Sequence, residues 1–197
     1  MIDLNSSEFD HKDGGSVVVF NKGVAGVVDN VVISVSKKKK EDHEKAPDYK
    51  VSFTDSEGGS TDMGLYYVTE ATSYSSIDEQ IKKQGKVLKH LLHAGISPTF
   101  VFPKAENAKQ MLDLCMKALK EQSPAGLKFR VMSNYGTKEY PKKFIQARTW
   151  VPFIEPMSVT ESRLSVSDLD NLTRPTADKE TKGGSVADAN ELVSDWD

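Results

Sequence analysis

The sequence predicts an α+β fold built mainly from antiparallel strands, with a two-helix insertion near residues 76–121 and a flexible acidic tail. Three observations predict it. Runs of β-branched residues bounded by turn signals open and close residues 1–156, and two stretches with apolar residues at helical spacing lie between them. Residues 157–197 contain one aromatic, Trp196, and are rich in Ser, Thr, Asp and Gly, too little to offset a backbone ordering cost of roughly 1–2 kcal/mol per residue. The folded domain is therefore expected over 1–156, with a boundary near Pro156 and a tail over 157–197.

The strands come first. Ser16–Phe20 and Val24–Ser36 are β-branched runs, the second interrupted by Gly26 and Asp29-Asn30. After the charged loop 37–47, Tyr49–Thr54 alternates strictly, with Tyr49, Val51 and Phe53 on one face and Lys50, Ser52 and Thr54 on the other. The turn cluster DSEGGS joins it to Met63–Val68 as a hairpin that points Met63, Leu65 and Tyr67 inward and Tyr66 outward. Ser76 and Glu79 form a capping-box signature, Ile81, Leu88, Leu91 and Leu92 follow at helical spacing, and Gly95 stops the helix. An extended connector (97–103) leads to a second helix from about Ala105 to Glu121, whose apolar face is Ala108, Met111, Leu112, Cys115 and Leu119. Strands return at Leu127–Val131 and Phe144–Val151. Beyond the boundary, Val166, Leu169 and Leu172 can dock as a short helix. Short twisted antiparallel strands with a helical insertion fit a small, partly open Greek-key barrel of the OB type. A plain α+β sandwich fits the same pattern.

Composition narrows the function classes. No run reaches the roughly 18 apolar residues of a membrane helix, and the polar, acidic start lacks a secretory n-region and h-region. A single cysteine allows no internal disulfide and no cysteine zinc cluster, which points to a reducing, cytoplasmic compartment. His90 and His93 are spaced for one helix face, but no nearby acid or cysteine completes a metal set, and His11 and His43 lie in polar loops. Cys115 belongs to an apolar stripe and reads as a small core residue. No P-loop, GxSxG, HExxH or GxGxxG pattern occurs, so neither an enzyme nor a cofactor is expected.

Charge distribution is more informative than the net charge of −3. Residues 82–148 carry 14 Lys/Arg against 4 Asp/Glu, whereas residues 1–81 carry 8 against 15 and residues 157–197 carry 4 against 9. A basic middle flanked by acidic ends suits a polyanion partner. Within it, alternation over Phe144–Val151 places Phe144, Gln146, Arg148 and Trp150 on one face. Aromatic planes for stacking bases and cations along phosphates are what a single strand requires. Lys128 and Arg130 share a face of the preceding strand, and the connecting loop adds Tyr135, Lys138, Tyr140, Lys142 and Lys143. Tyr66 is a further stacking candidate. The run Lys37–Lys40 can grip phosphate without reading sequence, though a run of this kind also simply solvates a loop.

The tip Ser194-Asp195-Trp196-Asp197 places one large ring between acids, the form of a portable peptide ligand for an apolar pocket with a basic rim. With barrel-like strands, a basic and aromatic face and this acidic end, the chain resembles phage-type single-stranded DNA-binding proteins, which pair an OB-fold core with a flexible acidic C-terminal tail. The resemblance is architectural, carried loosely by APDYKVSFTD, YPKKFIQARTWVPF and SDWD. It implies sequence-independent coating of single-stranded DNA in replication, recombination or repair, in the host cytoplasm if the chain is viral. It also implies recruitment of replication or recombination proteins through Asp195, Trp196 and Asp197. Two features depart from the family: the tail is less acidic than is usual there, and the two-helix insertion is not one of its shared features. The alternative is a non-enzymatic structural, scaffolding or virion-associated interaction protein whose tail docks on a larger assembly.

Overall fold

The computed structural model describes residues 1–10, 27–39, 43, 46–56, 58, 60–135, 143–145, 147, 149, 152–165, 170 and 172. The expected strand Ser16–Phe20 lies outside them. The described chain forms six antiparallel strands, β1 (Val27–Lys37), β2 (Tyr49–Thr54), β3 (Ser60–Leu65), β4 (Phe129–Tyr135), β5 (Lys143–Ile145) and β6 (Ile154–Pro156). Helices α1 (Ile77–Gly95) and α2 (Ala108–Gln122) separate β3 from β4. The order across the sheet is β3-β2-β1-β4-β5, with β6 also on β4. The fold is thus α+β around an open antiparallel sheet. Among the described residues β3 and β5 do not pair, although these two end strands approach each other in space. No helix of the described chain is long and apolar enough to cross a membrane.

β1 is the hub. Its first part pairs with β4 (Val27↔Met132, Val28↔Val131, Val31↔Phe129), and Val32–Lys37 pairs with β2 from Thr54 back to Tyr49. The register shifts between Val28 and Val31, where Asn30 sits at φ 59, a left-handed conformation that asparagine tolerates better than most residues. The bulge bends β1, so that one strand serves both halves of the sheet.

The β2–β3 hairpin follows its alternation: Tyr49, Val51, Phe53, Met63 and Leu65 are buried. β3 ends at Leu65, so Tyr66 and Tyr67 lie just beyond it. α1 begins with the expected reciprocal cap. Ser76 Oγ accepts from Glu79 N, and Glu79 Oε2 accepts from Ser76 N at 2.9 Å. α2 starts three residues later than its pattern suggested. Both backbone polar groups of Ala105 are taken by Ile2 (2.5 and 2.9 Å), and Asn107 supplies the cap by accepting from Gln110 N at 2.9 Å. Leu88, Leu91 and Leu92 from α1 meet Met111, Leu112, Cys115, Met116 and Leu119 from α2 in the core. Burial pushes the Cys115 thiol up to about 12, which suits an inert core residue.

Residues 1–10 form an arm that the sequence did not signal. Leu4 and Phe9 are buried against α1 at Gly85, where an added Cβ would lie 2.5 Å from the Phe9 ring and 2.9 Å from Leu4. Asp10 reaches the nearly buried Lys89 ammonium at 2.5 Å.

The far end also departs from expectation. The strand anticipated over Phe144–Val151 stops at Ile145, Ala147 turns back to donate to Ile145 O, and pairing on β4 resumes only at Ile154. β4 itself begins later and runs further than Leu127–Val131. Leu127 N is held by Pro124 O beside Gly126, whose φ of +74 makes the turn. Beyond Pro156, Leu164 is fully buried and Leu172 packs against the core.

Replacing Gly85 with valine forces Phe9 and Leu4 out of contact. The expected result is a destabilisation of about 1–3 kcal/mol in urea denaturation, with faster amide exchange confined first to residues 2–10.

Candidate nucleic-acid interface

The β4–β5 ladder brings together Tyr135 and Lys143, directly opposite each other, and sets Phe144 opposite Asn134, with the Phe144 side chain half-buried. Tyr66 is half-buried beyond β3. Its carbonyl accepts from Gln84 Nε2 at 2.8 Å, and its ring, together with Pro47, crowds Gly64. Lys128 is exposed just before β4, and its backbone carbonyl accepts from Met157 N. Tyr140, Lys142, Arg148, Trp150 and the tip Asp195, Trp196 and Asp197 lie outside the described residues.

Arg130 is held within the fold. Its Nε donates to Asp29 Oδ1 at 3.0 Å, and its Nη1 donates to Glu155 Oε1 at 2.6 Å. Glu155 is 5% exposed, is the cross-strand partner of Arg130, and accepts from Arg163 N at 3.0 Å. One guanidinium therefore ties the bulge of β1 to β6 across β4. Sequence alternation places Arg130 opposite the core face but cannot show that two carboxylates meet it there.

A second polar cluster was not read from the sequence. Asp113 on α2 accepts on Oδ1 from Tyr49 OH (2.6 Å), Tyr67 OH (2.8 Å) and Lys37 Nζ (3.1 Å), and on Oδ2 from Lys109 Nζ (3.2 Å). Lys37 Nζ lies 5.1 Å from the Tyr49 ring centre, and Lys109 Nζ lies 4.7 Å from that of Tyr67. Burial alone would raise the Asp113 pKa, but the four donors prevail and hold the carboxyl well below its usual range. Burial, and then Asp113 itself, raises both tyrosines, while hydrogen bonding to Tyr49 and Asp113 raises Lys37. The only local hint was Lys109 four residues before Asp113 on a helix. Two ammonium groups share one carboxylate, so the cluster keeps a positive surface beside β1's end. It contains no base poised over a pocket.

The histidines pack. His90 Nε2 lies 3.1 Å from Ile154 O with its ring against Phe153, and His93 stacks near Phe102, where burial lowers its pKa. Among the described residues no group of three or more His, Cys, Asp or Glu is arranged to hold a metal.

Two outcomes test these clusters. Arg130→Met strands the buried Glu155 and is expected to cost about 3–5 kcal/mol in denaturant, whereas Lys128→Met changes stability by no more than about 0.5 kcal/mol. A depressed carboxyl contributes stability that is present above its unfolded value, about 3.9, and lost as pH falls through the folded value. Raised tyrosines contribute stability present below about pH 10 and lost as pH rises further. Asp113→Asn should therefore lose about 1–2 kcal/mol at pH 7, a difference from the parent that narrows below pH 4 when both are followed by urea denaturation.

Compared with family models, with characterised proteins and with solved structures, the chain matches none.

Proposed function

We propose that the protein binds single-stranded DNA without sequence preference, as a non-catalytic factor in DNA replication, recombination or repair, through an OB-like sheet. The supporting observation is topological. In the order β3-β2-β1-β4-β5 a long bulged β1 joins two half-sheets, the helices fall between β3 and β4, and the unpaired end strands approach each other. The OB fold, whose order this open sheet is compared with here, binds oligonucleotides along its sheet face and at the connections after its first and fourth strands. Here those connections are 38–48, with Lys38, Lys39, Lys40 and Lys45 beside four acids, and 136–142, with Lys138 and Lys142 beside Glu139.

In this reading Tyr66, Tyr135, Tyr140, Phe144 and Trp150 offer planes for bases, and Lys128, Lys142, Lys143 and Arg148 meet phosphates. Arg130 serves mainly to brace the sheet beneath them. Asp195, Trp196 and Asp197 recruit replication or recombination proteins through an apolar pocket with a basic rim.

Anisotropy titration of labelled oligo-dT and a matching duplex, at two salt concentrations, tests the reading. The expected result is micromolar or tighter binding that favours the single strand and weakens with salt by a log–log slope of about −0.7 per neutralised phosphate. Trp150→Ala should weaken it by a factor of about 5–150, with unchanged circular dichroism. Equal affinity for duplex, or none for either, would overturn the assignment and favour a scaffolding or virion-associated interaction protein.

A further inference from the structure

Among the described residues, one edge of β1 carries no partner strand beyond Val31. Its pairing with β4 ends at Val31, and from Val32 onward the described chain pairs with it only on the β2 side. There β1 diverges from the turn before β4, and a groove of about 300 Å³ opens between them, lined by Val32, Ile33, Val35, Leu119, Leu127 and Lys120 among others. Val32 is 45% exposed, a large apolar side chain left on the rim. Lys117 and Lys120, three apart on α2, are exposed, and neither forms an ion pair among the described residues. Among the described residues the site thus has an apolar floor, a strand edge without a paired neighbour and a basic margin. It asks for an extended segment that is apolar on one side and acidic on the other.

Residues 191–197 of the same chain have that pattern. In an extended conformation, Leu192, Ser194 and Trp196 share one side, and Glu191, Val193, Asp195 and Asp197 the other. Residues 183–197 contain four acids and no base. Reach is sufficient: Glu191 lies 19 positions past Leu172, up to about 60 Å of extended chain, against a radius of gyration of about 15 Å for a domain of this size. A tether of this kind gives a millimolar-range effective concentration, enough for a weak contact to form.

We propose that residues 191–197 dock on the Val32–Val35 edge of β1 as an added strand, with Leu192 and Trp196 over the groove and the acids toward Lys117 and Lys120. The docked segment hides Trp196, so any protein that takes the tip must first compete with β1 for it. The docking involves no nucleic acid and stands apart from DNA binding.

The test is amide hydrogen exchange on the full chain by NMR, without nucleic acid. The expected result is at least about tenfold protection for residues 192–196 and for the β1 amides that do not face β2. Trp196→Ala should release both sets together. Lys120→Glu should release them as well, and adding Asp195→Lys should restore part of the protection. Random-coil exchange of 192–196 in the parent would overturn the proposal. So would β1 protection that survives Trp196→Ala, which would mean that another segment such as 11–26 covers the edge. Protection that grows with protein concentration would mean docking between copies and would equally overturn it. Loss of oligo-dT binding in the titration above leaves these outcomes unchanged.

Discussion

The bend in β1 is the constraint on which the rest of the structure depends. A straight strand of eleven residues would pair with the same neighbours along its whole length. The left-handed Asn30 and the register shift beside it let Val27–Val31 lie on β4 and Val32–Lys37 lie on β2. The bulge also turns out Asp29, which Arg130 grips while holding Glu155 with its other arm. Two acids that would otherwise repel are bridged by one cation, and three strands are fixed relative to one another. The pair is mostly buried, so its value lies more in fixing this arrangement than in net stability.

The helices close the opposite side by a comparable device. α2 meets the sheet through Asp113, which collects hydroxyls from β2 and from the chain after β3, and an ammonium from the end of β1. A single carboxylate with four donors locks the helix against three separate segments and keeps two tyrosine hydroxyls satisfied at the edge of the core. α1 is fastened on its other flank by the amino-terminal arm, whose Phe9 fits only because position 85 has no side chain.

This division of labour gives the functional proposal its shape. Arg130 is paired with Asp29 and Glu155, Lys89 with Asp10, and the more exposed Lys37 and Lys109 with Asp113. In the proposed function the lysines of the connections after β1 and β4, with the exposed Lys128, would meet phosphate, while Lys120 lines the groove beside β1.

What the sequence by itself determined was local. The cap at Ser76 and Glu79, the alternation of Tyr49–Thr54, the apolar stripes of both helices and the burial of Cys115 follow from interactions within a few residues or from one strand's period. The tertiary structure decided the rest because its causes are distant in the chain. Arg130 meets Asp29 from 101 positions away and Tyr49 meets Asp113 from 64, and no period or composition encodes such meetings. Likewise, Phe144–Val151 alternates as well as any strand. Yet among the described residues pairing on β4 runs to Ile145 and is taken up again by Ile154, a choice of partners that the alternation itself does not encode. Leu164 illustrates the same limit: an isolated apolar residue in a polar stretch carries no periodic signal, and only the packed core gives it a place.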